Sequence, residues 1–401
     1  MRRKSRIKPW VKVLLFLILI TLLSCFLYFK VFNKTNDSTK KNNNNSNNTK
    51  KVEKEKKKVY KLSMLMAGDA LIHSNVYRDA QNADGSFNFE KQMIHVKDYL
   101  SKFDLLYYNQ ETIIGGSDRP YSGYPRFNTP QAFADTMIDL GFNIVSLANN
   151  HSMDQGTSGI LNSVNYWKST NVMWNGQADS EETRTNYIIG EKNNITYAML
   201  SYTEHTNGLP VPSDKPYLVN VWNDDKVKAD IAALRDKVDV LIVAVHWGEE
   251  YTHTPTQSER TKAQFLADQG VDIVIGCHPH VVQPIEIIGD TVVYYSLGNF
   301  ISNQIEDYKR VGLFGTLDIT KTVEDGKSTI TIDNVGGALN FTYRNVPSYS
   351  GHIVMLFSDP IIAKYLTNYK ANYEKFKNIV TGGNENIKID PLFDENENTE
   401  A

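Results

Sequence analysis

The chain repeats one local pattern five times: a short apolar run that ends in Asp, Glu, Asn or His. The runs are Leu62-Ser-Met-Leu-Met-Ala-Gly-Asp69, Asp104-Leu-Leu-Tyr-Tyr-Asn-Gln-Glu111, Asn143-Ile-Val-Ser-Leu-Ala-Asn-Asn-His151, Val238-Asp-Val-Leu-Ile-Val-Ala-Val-His246 and Val271-Asp-Ile-Val-Ile-Gly-Cys-His-Pro-His280. Each reads as a strand that delivers metal-ligand chemistry at its carboxyl end, where open α/β sheets bind their ligands. The last run is the most informative, because His278 and His280 stand one residue apart and imidazole is the commonest metal-binding side chain. In a strand, residues i and i+2 point the same way; in the loop just past a strand end the two rings can still converge.

Helical patterns at Phe89–Phe103, Gln131–Leu140, Gly159–Ser169, Val227–Lys237 and Glu259–Gln269 lie between these strands and a further one at Ile195–Tyr202. That alternation predicts an α/β domain. After the histidine pair, Pro284–Gly289, Thr291–Leu297, Leu313–Thr320 and Ser328–Val335 read as short strands joined by turns such as Gly289-Asp290 and Asp325-Gly326, a meander or a second sheet edge. Pro360–Val380 reads as a closing amphipathic helix, and the acidic end, Asp394–Ala401, as frayed.

The 401 residues divide sharply by charge. Residues 1–58 hold 16 Lys and Arg against 3 acids, which leaves 27 against 43 in the rest. An acidic body of net −16 argues against a nucleic-acid partner. The two cysteines, Cys25 and Cys277, sit in unrelated settings, which predicts no disulfide between them. Residues 1–12 read as a cytoplasmic basic tail, 13–32 as a transmembrane anchor built on the apolar run Val13–Phe29, and 33–58 as a disordered Asn/Lys-rich tether. The excess of basic residues before the run puts the N-terminus inside and the body outside the cell membrane, single-pass. A cleaved signal peptide and a lipoprotein signal at Leu22-Leu-Ser-Cys25 are the alternatives, and the apolar residues Phe26-Leu-Tyr-Phe29 argue against both. The folded domain is expected over 59–345, with 346–401 as C-terminal helix and acidic tail.

The ensemble of strand-end motifs resembles the CapA (PgsA) family of poly-γ-glutamate capsule biosynthesis proteins, whose fold resembles calcineurin-like metallophosphoesterases. The matching pieces are Ala67-Gly-Asp69, Asn109-Gln-Glu111, Leu147-Ala-Asn-Asn-His151 with Asp154 and Gly156, and His246-Trp-Gly-Glu-Glu-Tyr251. Gly276-Cys-His-Pro-His280 with Gln283 and Glu286, and Tyr295-Ser-Leu-Gly-Asn-Phe300, complete the set. The resemblance implies a four-layer α/β/β/α sandwich and a pocket for two divalent ions, Mn, Fe or Zn. It implies that Asp69 binds one ion, Glu111 bridges both, Asn150 and His246 bind the second, His278 and His280 take one each, and His151 protonates a leaving group. It further implies a role in capsule synthesis or export beside membrane-bound synthetase partners, with the anionic polymer poly-γ-glutamate as a possible ligand. A metal-dependent hydrolase of cell-envelope esters or amides, or a non-catalytic polymer-binding module, is the rival. Departures from the wider superfamily are Asp69-Ala70-Leu71 in place of Asp-x-His, with His73 four residues on, Glu111 where Asp is usual, and no Gly-Asp-x-x-Asp run.

Taken singly, Asp69 reads more readily as a helix N-cap, Asn150 as a turn former and His246 as a core histidine with a hydrogen-bonded ring. Jointly, six such side chains at the ends of apolar strands would be costly to bury unless a shared ion satisfied them. His73 is open between ligand and turn residue, His205 could face the pocket from its loop, and Trp247 and Tyr251 are wall or core. His95, His253 and His352 read as surface or structural. Both His278 and His280 must be neutral to bind metal, so affinity is expected to fall as pH drops through about 6.5.

Overall fold

The computed structural model describes residues 57–345 and 348–393. Four parallel strands, β1 (Lys58–Ala70), β2 (Leu105–Asn109), β3 (Ile144–Ser146) and β4 (Met173–Asn175), lie side by side in chain order. The chain then builds a second sheet from β5 (Ile189–Lys192), β6 (Ile195–Thr203), β7 (Val240–His246), β8 (Ile273–Cys277), β9 (Ile285–Ile288) and β10 (Thr291–Tyr294), ordered β5-β6-β7-β8-β10-β9. Here β6, β7, β8 and β10 are parallel. It returns to the first sheet with β11 (Asn299–Ile301) beside the end of β1. The antiparallel β12 (Val311–Glu324), β13 (Lys327–Asn345) and β14 (Ser350–Leu356) come next, then β15 (Lys388–Ile389) against β13.

The alternation of side chains along each strand decides the layers. Leu62, Met64 and Met66 of β1 point into a core shared with Val240, Ile242 and Ala244 of β7 and with Ile273 and Ile275 of β8, so the two sheets face each other. Leu65 and Ala67 point the other way, onto α1 (Gln131–Asp139) and α2 (Gly156–Lys168), through Phe133, Met137, Ile160, Val164 and Trp167. Leu241, Val243 and Val245 of β7 meet Val227 and Ile231 of α3 (Asp224–Leu234) and Ala263 and Leu266 of α4 (Gln257–Asp268). The result is a mixed α/β fold with helices outside two facing sheets. Helix α4 starts at a capping box between Thr256 and Glu259. A last helix, α5 (Tyr369–Thr381), inserts Tyr373, Phe376 and Val380 into the inter-sheet core beside Leu339, Phe341 and Met355.

Four expectations change. Leu313–Thr320 and Ser328–Val335 are not short meander strands but parts of β12 and β13, of 14 and 19 residues, which extend the first sheet. The end of β12, Lys321–Glu324, is mostly polar and partly exposed, and the buried half of β13, Gly336–Arg344, mixes glycines and polar residues with apolar ones, so apolar patterning reveals neither. The Asp325-Gly326 turn has φ of 50° and 74°, the left-handed pair that a tight two-residue hairpin requires. The segment expected to hold only a helix and tail begins with β14, and the helical pattern at 89–103 breaks into Glu90–Met93 and Lys97–Leu100. Lys58, expected to end the tether, opens β1. Among the described residues no helix is long and apolar enough to cross a membrane. The basic tail, the apolar run, residues 33–56 of the tether and the acidic Asp394–Ala401 lie outside the described residues.

Two glycines allow close backbone approaches at the strand ends. A Cβ on Gly68 would lie 1.9 Å from the Gly298 carbonyl oxygen, and one on Gly276 would lie 1.9 Å from that of Tyr295. Gly276→Ala is therefore expected to cost about 1–3 kcal/mol through forced backbone displacement, read as a lower urea midpoint of the purified chain. An unchanged midpoint would refute the close approach.

Candidate metal centre

The parallel strands of both sheets end on the same side of the sandwich, and the site is built from their last residues and the loops that leave them. Asp69 is the penultimate residue of β1, Asn109 ends β2, and Glu111 comes two residues later. The loop after β3 carries Asn149, Asn150 and His151, β7 ends in His246, and β8 leads to His278 and His280. His278 and His280 both adopt positive φ, 100° and 57°, uncommon for residues with a Cβ. Such strained backbone persists where surrounding structure over-determines it, and it concentrates at functional sites. It turns the two rings toward different partners, with centroids 6.0 Å apart.

Asp69 is fully buried and well satisfied. Asn109 Nδ2 donates to its Oδ1 (2.8 Å), and the His278 backbone N–H donates to its Oδ2 (3.1 Å), which also lies 3.2 Å from His280 Nδ1. His280 Nδ1 donates to Asn299 Oδ1 (3.0 Å), which turns Nε2 toward Glu111 Oε1 at 3.6 Å. His246 Nε2 lies 3.1 Å from both Asn150 Oδ1 and His278 Nδ1, and 3.6 Å from Glu111 Oε1. Glu111 is the exception: it is fully buried and neither carboxylate oxygen has a hydrogen-bond partner. Two compact ligand groups share it, Asp69/Glu111/His280 and Glu111/His246/His278, with potential ligand atoms within 4.8 Å of one another in each. A buried, unsatisfied carboxylate between two imidazole groups is what a pair of divalent ions would satisfy, so the donor set fits.

Burial pushes Glu111 well above the usual carboxylate range, and Asp69 adds to it, against the pull of His280. Burial lowers His280, but Glu111 and Asp69 outweigh it and hold it up at about 10. His278 is driven down to about 3 by burial and by His280, and His246 falls well below the ordinary value for burial and its histidine neighbours. The expected pH window therefore moves. His246 and His278 are already neutral well below pH 6.5, and the protons an ion must displace are those that the raised Glu111 and His280 hold.

His151 stands beside these groups. Its Nδ1 donates to Asp154 Oδ2 (2.8 Å), which also accepts the Phe127 backbone N–H (2.7 Å), and the Phe127 ring packs edge-on at 4.7 Å. His151 Nε2 is left facing Asn207 Nδ2 at 3.5 Å.

The structure thus brings Asp69, Glu111, Asn150, His246, His278 and His280 together, with His151 adjacent. His73 stays out of the ligand groups: its Nδ1 accepts the Asn303 N–H, its ring packs on Phe127, and burial lowers it to about 4. His205 does reach the site, edge-on to His278 at 5.3 Å. Trp247 is core, donating to the Tyr295 carbonyl, whereas Tyr251 lies 6.0 Å from the His280 ring as a wall. His95, His253 and His352 bind Asp359, the Val282 carbonyl and Asp79. Sequence reasoning assigned no role to Asn109, Asn299 or Glu250. Asn109 holds Asp69, Asn299 orients His280, and Glu250 forms a third group with His278 and His280. All three lie inside the strand-end motifs, but only the tertiary pairing reveals what they do.

Fold and site define a mixed α/β protein with a candidate divalent-metal centre at its strand ends. The chain belongs to the family described as Bacterial capsule synthesis protein PGA_cap, which matches residues 63–304. It is 26% identical over 255 residues to the Capsule biosynthesis protein CapA of Bacillus anthracis, covering 61% of this chain and 60% of the relative. It is 27% identical over 265 residues to the PGA biosynthesis protein CapA of Bacillus subtilis, covering 61% and 64%. The match thus spans less than two thirds of either relative's length. Among solved structures, the calcineurin-like phosphoesterase YfkN from Bacillus subtilis aligns with TM-score 0.45 and 14% identity over 80% of this chain and 99% of that one.

Two outcomes follow from the site's charges. Binding of Mn²⁺ or Zn²⁺ at pH 7.5 is expected to release at least one proton, measured by calorimetry in buffers of different ionisation enthalpy; no release would contradict the protonated Glu111–His280 pair. Glu111→Gln removes the unsatisfied carboxylate, so the metal-stripped chain should melt no lower than the wild type, while the rise in Tm on adding metal disappears. A lower metal-free Tm, or a retained metal-induced rise, would show that Glu111 is not held in reserve for an ion.

Proposed function

We propose that this chain is a membrane-anchored, extracellular component of poly-γ-glutamate capsule synthesis or export, working at a pocket that holds two divalent ions, Mn, Fe or Zn. The observation that carries the metal reading is Glu111, buried, unsatisfied and common to both ligand groups. Asp69, Glu111 and His280 would hold one ion, and Glu111, His246 and His278, with Asn150 alongside, the other. When bound, such ions activate water and polarise an acyl or phosphoryl oxygen. The capsule reading rests on the family and on relatives named for capsule and PGA biosynthesis. The net −16 of the body repels a polyanion in general, so contact with the polymer is concentrated at the pocket. Anchoring rests on the apolar run and the basic residues before it, and it places membrane-bound synthetase partners within reach of the body. Nucleic acid is not a partner in this reading.

The His151–Asp154 pair favours a second reading, a metal-dependent hydrolase of phosphoesters or of other esters or amides in the cell envelope. Asp154 holds the ring through Nδ1–H, Phe127 locks its tilt, and in the imidazolium form Nε2–H would be the proton given to a leaving group. This chemistry also suits γ-glutamyl amides, so the two readings share one pocket.

In a strain that makes the polymer, deleting the gene is expected to abolish surface poly-γ-glutamate, and the His278→Ala gene should fail to restore it; wild-type polymer in the deletion would remove the capsule role. External protease on intact cells should remove the body, and its full protection would sink the extracellular placement. For the hydrolase, turnover of bis-p-nitrophenyl phosphate or a γ-glutamyl amide should drop about 10²–10⁴-fold in His151→Ala with metal retained. Equal rates in the two proteins would exclude His151 as the acid.

A further inference from the structure

Among the described residues, Glu250 is the one exposed residue that shares a ligand group with the buried histidines. A carboxylate oxygen of Glu250 and one ring nitrogen each of His278 and His280 lie within 4.8 Å of one another. Glu249, equally exposed beside it, belongs to no such group.

The backbone puts Glu250 there. The loop after β7 follows the His278-Pro279-His280 turn and is tied down on both sides of Glu250. The Trp247 N–H donates to the Cys277 carbonyl (3.1 Å) and the Tyr251 N–H to the Pro279 carbonyl (2.7 Å). Between them, the Gly248 N–H donates to Glu204 Oε2 (2.9 Å). Tyr251 has φ of 66°, left-handed backbone that is costly for an aromatic residue and concentrates at functional sites. The loop is fixed, but no ion pair holds the Glu250 side chain among the described residues. Lys309, whose ammonium stacks on the Tyr251 ring at 3.7 Å, pairs with Glu306 (3.2 Å) instead.

The histidine pair therefore has two carboxylates within reach, Glu111 fully buried and Glu250 open to solvent. Two divalent ions carry four positive charges, and Asp69 and Glu111 return two. The group of Asp69, Glu111 and His280 offers three ligands, the number that leaves a metal a position open to water or substrate. A carboxylate at the exposed rim can fill that position and add a negative charge. Having no ion pair of its own, it can also leave again. We propose that Glu250 is a displaceable ligand of this centre, occupying the position open to solvent until a substrate oxygen takes its place. The proposal rests on the two-ion reading above and adds to it the group that a substrate must displace.

The test uses the full chain in detergent, stripped of metal and titrated with Mn²⁺, as wild type, Glu250→Ala and Glu249→Ala. Losing a residue that only orients a metal ligand costs about 10–100-fold in affinity, and losing a ligand should cost no less. Glu250→Ala is therefore expected to weaken Mn²⁺ binding at least about tenfold, and Glu249→Ala, the same charge change one residue away, less than about twofold. Water-proton relaxation should report one more exchangeable water on the bound Mn²⁺ in Glu250→Ala. Inorganic phosphate should bind the Mn²⁺-loaded Glu250→Ala chain at least about threefold more tightly, because the position is no longer partly filled. The metal-free Tm should stay at the wild-type value; a lower one would make the residue structural and overturn the proposal. If wild type binds Mn²⁺ and Glu250→Ala keeps its affinity and water count, or binds phosphate no more tightly, the proposal falls and the two-ion reading stands. Equal losses in the two variants would reduce the effect to net charge and overturn it as well. A wild type that binds no Mn²⁺ overturns both readings.

Discussion

Both faces of the central parallel strands are covered, one by the facing sheet and the other by helices, and this constraint governs where chemistry can sit. Every residue of β2, β7 and β8 is buried. A polar side chain inside such a strand would need a partner within the core; at the strand end a loop can bring one. The six candidate ligands are therefore collected by the same packing that builds the core. Gly68 and Gly276 are part of that geometry, because a single methyl would push the end of β1 off the Gly298 carbonyl, or the end of β8 off the Tyr295 carbonyl and the Trp247 ring.

Two histidines separated by one proline show how far the site departs from solution chemistry. His278 faces other imidazoles and is kept neutral down to about pH 3, while His280 faces Asp69 and Glu111 and is held protonated up to about 10. Nothing in their chain neighbours distinguishes them. Glu111 touches both halves, but Asp69 lies beside His280 while the His246 and His278 rings face each other, so His280 holds a proton that His246 and His278 do not.

The features that could be read from the residues alone are those set by local interactions. The apolar runs and their polar ends were legible because burial of a strand demands both. So was the hairpin turn at Asp325-Gly326, because left-handed backbone demands such residues. The lengths of β12 and β13 were not: Lys321–Glu324 of β12 are mostly polar, and Gly336–Asn345 of β13 mix glycines with buried Asn340, Thr342 and Arg344 in a stretch held by pairing with β12 and β14. The role of Asn299 depends on β11 lying beside a strand some 230 residues earlier, at the Asp69–Asn299 register. His73 sits close to Asp69 in sequence yet turns to Phe127, and His205 arrives from a loop of the other sheet. The pH window was misplaced for the same reason: the neighbours that set it come from other strands.

The stretch shared with the family stops at residue 304, yet the fold does not. Strand β12 lies entirely beyond that point and pairs with β1 from Lys58↔Val323 to Met66↔Gly315. A fragment cut at the family boundary would keep every candidate ligand and lose the cover on one whole side of β1. A long, bare strand edge is a template for pairing with another chain. Such a fragment would hold every group the metal chemistry needs and still offer that edge to its own copies, since the stretch that defines kinship is shorter here than the stretch that covers β1.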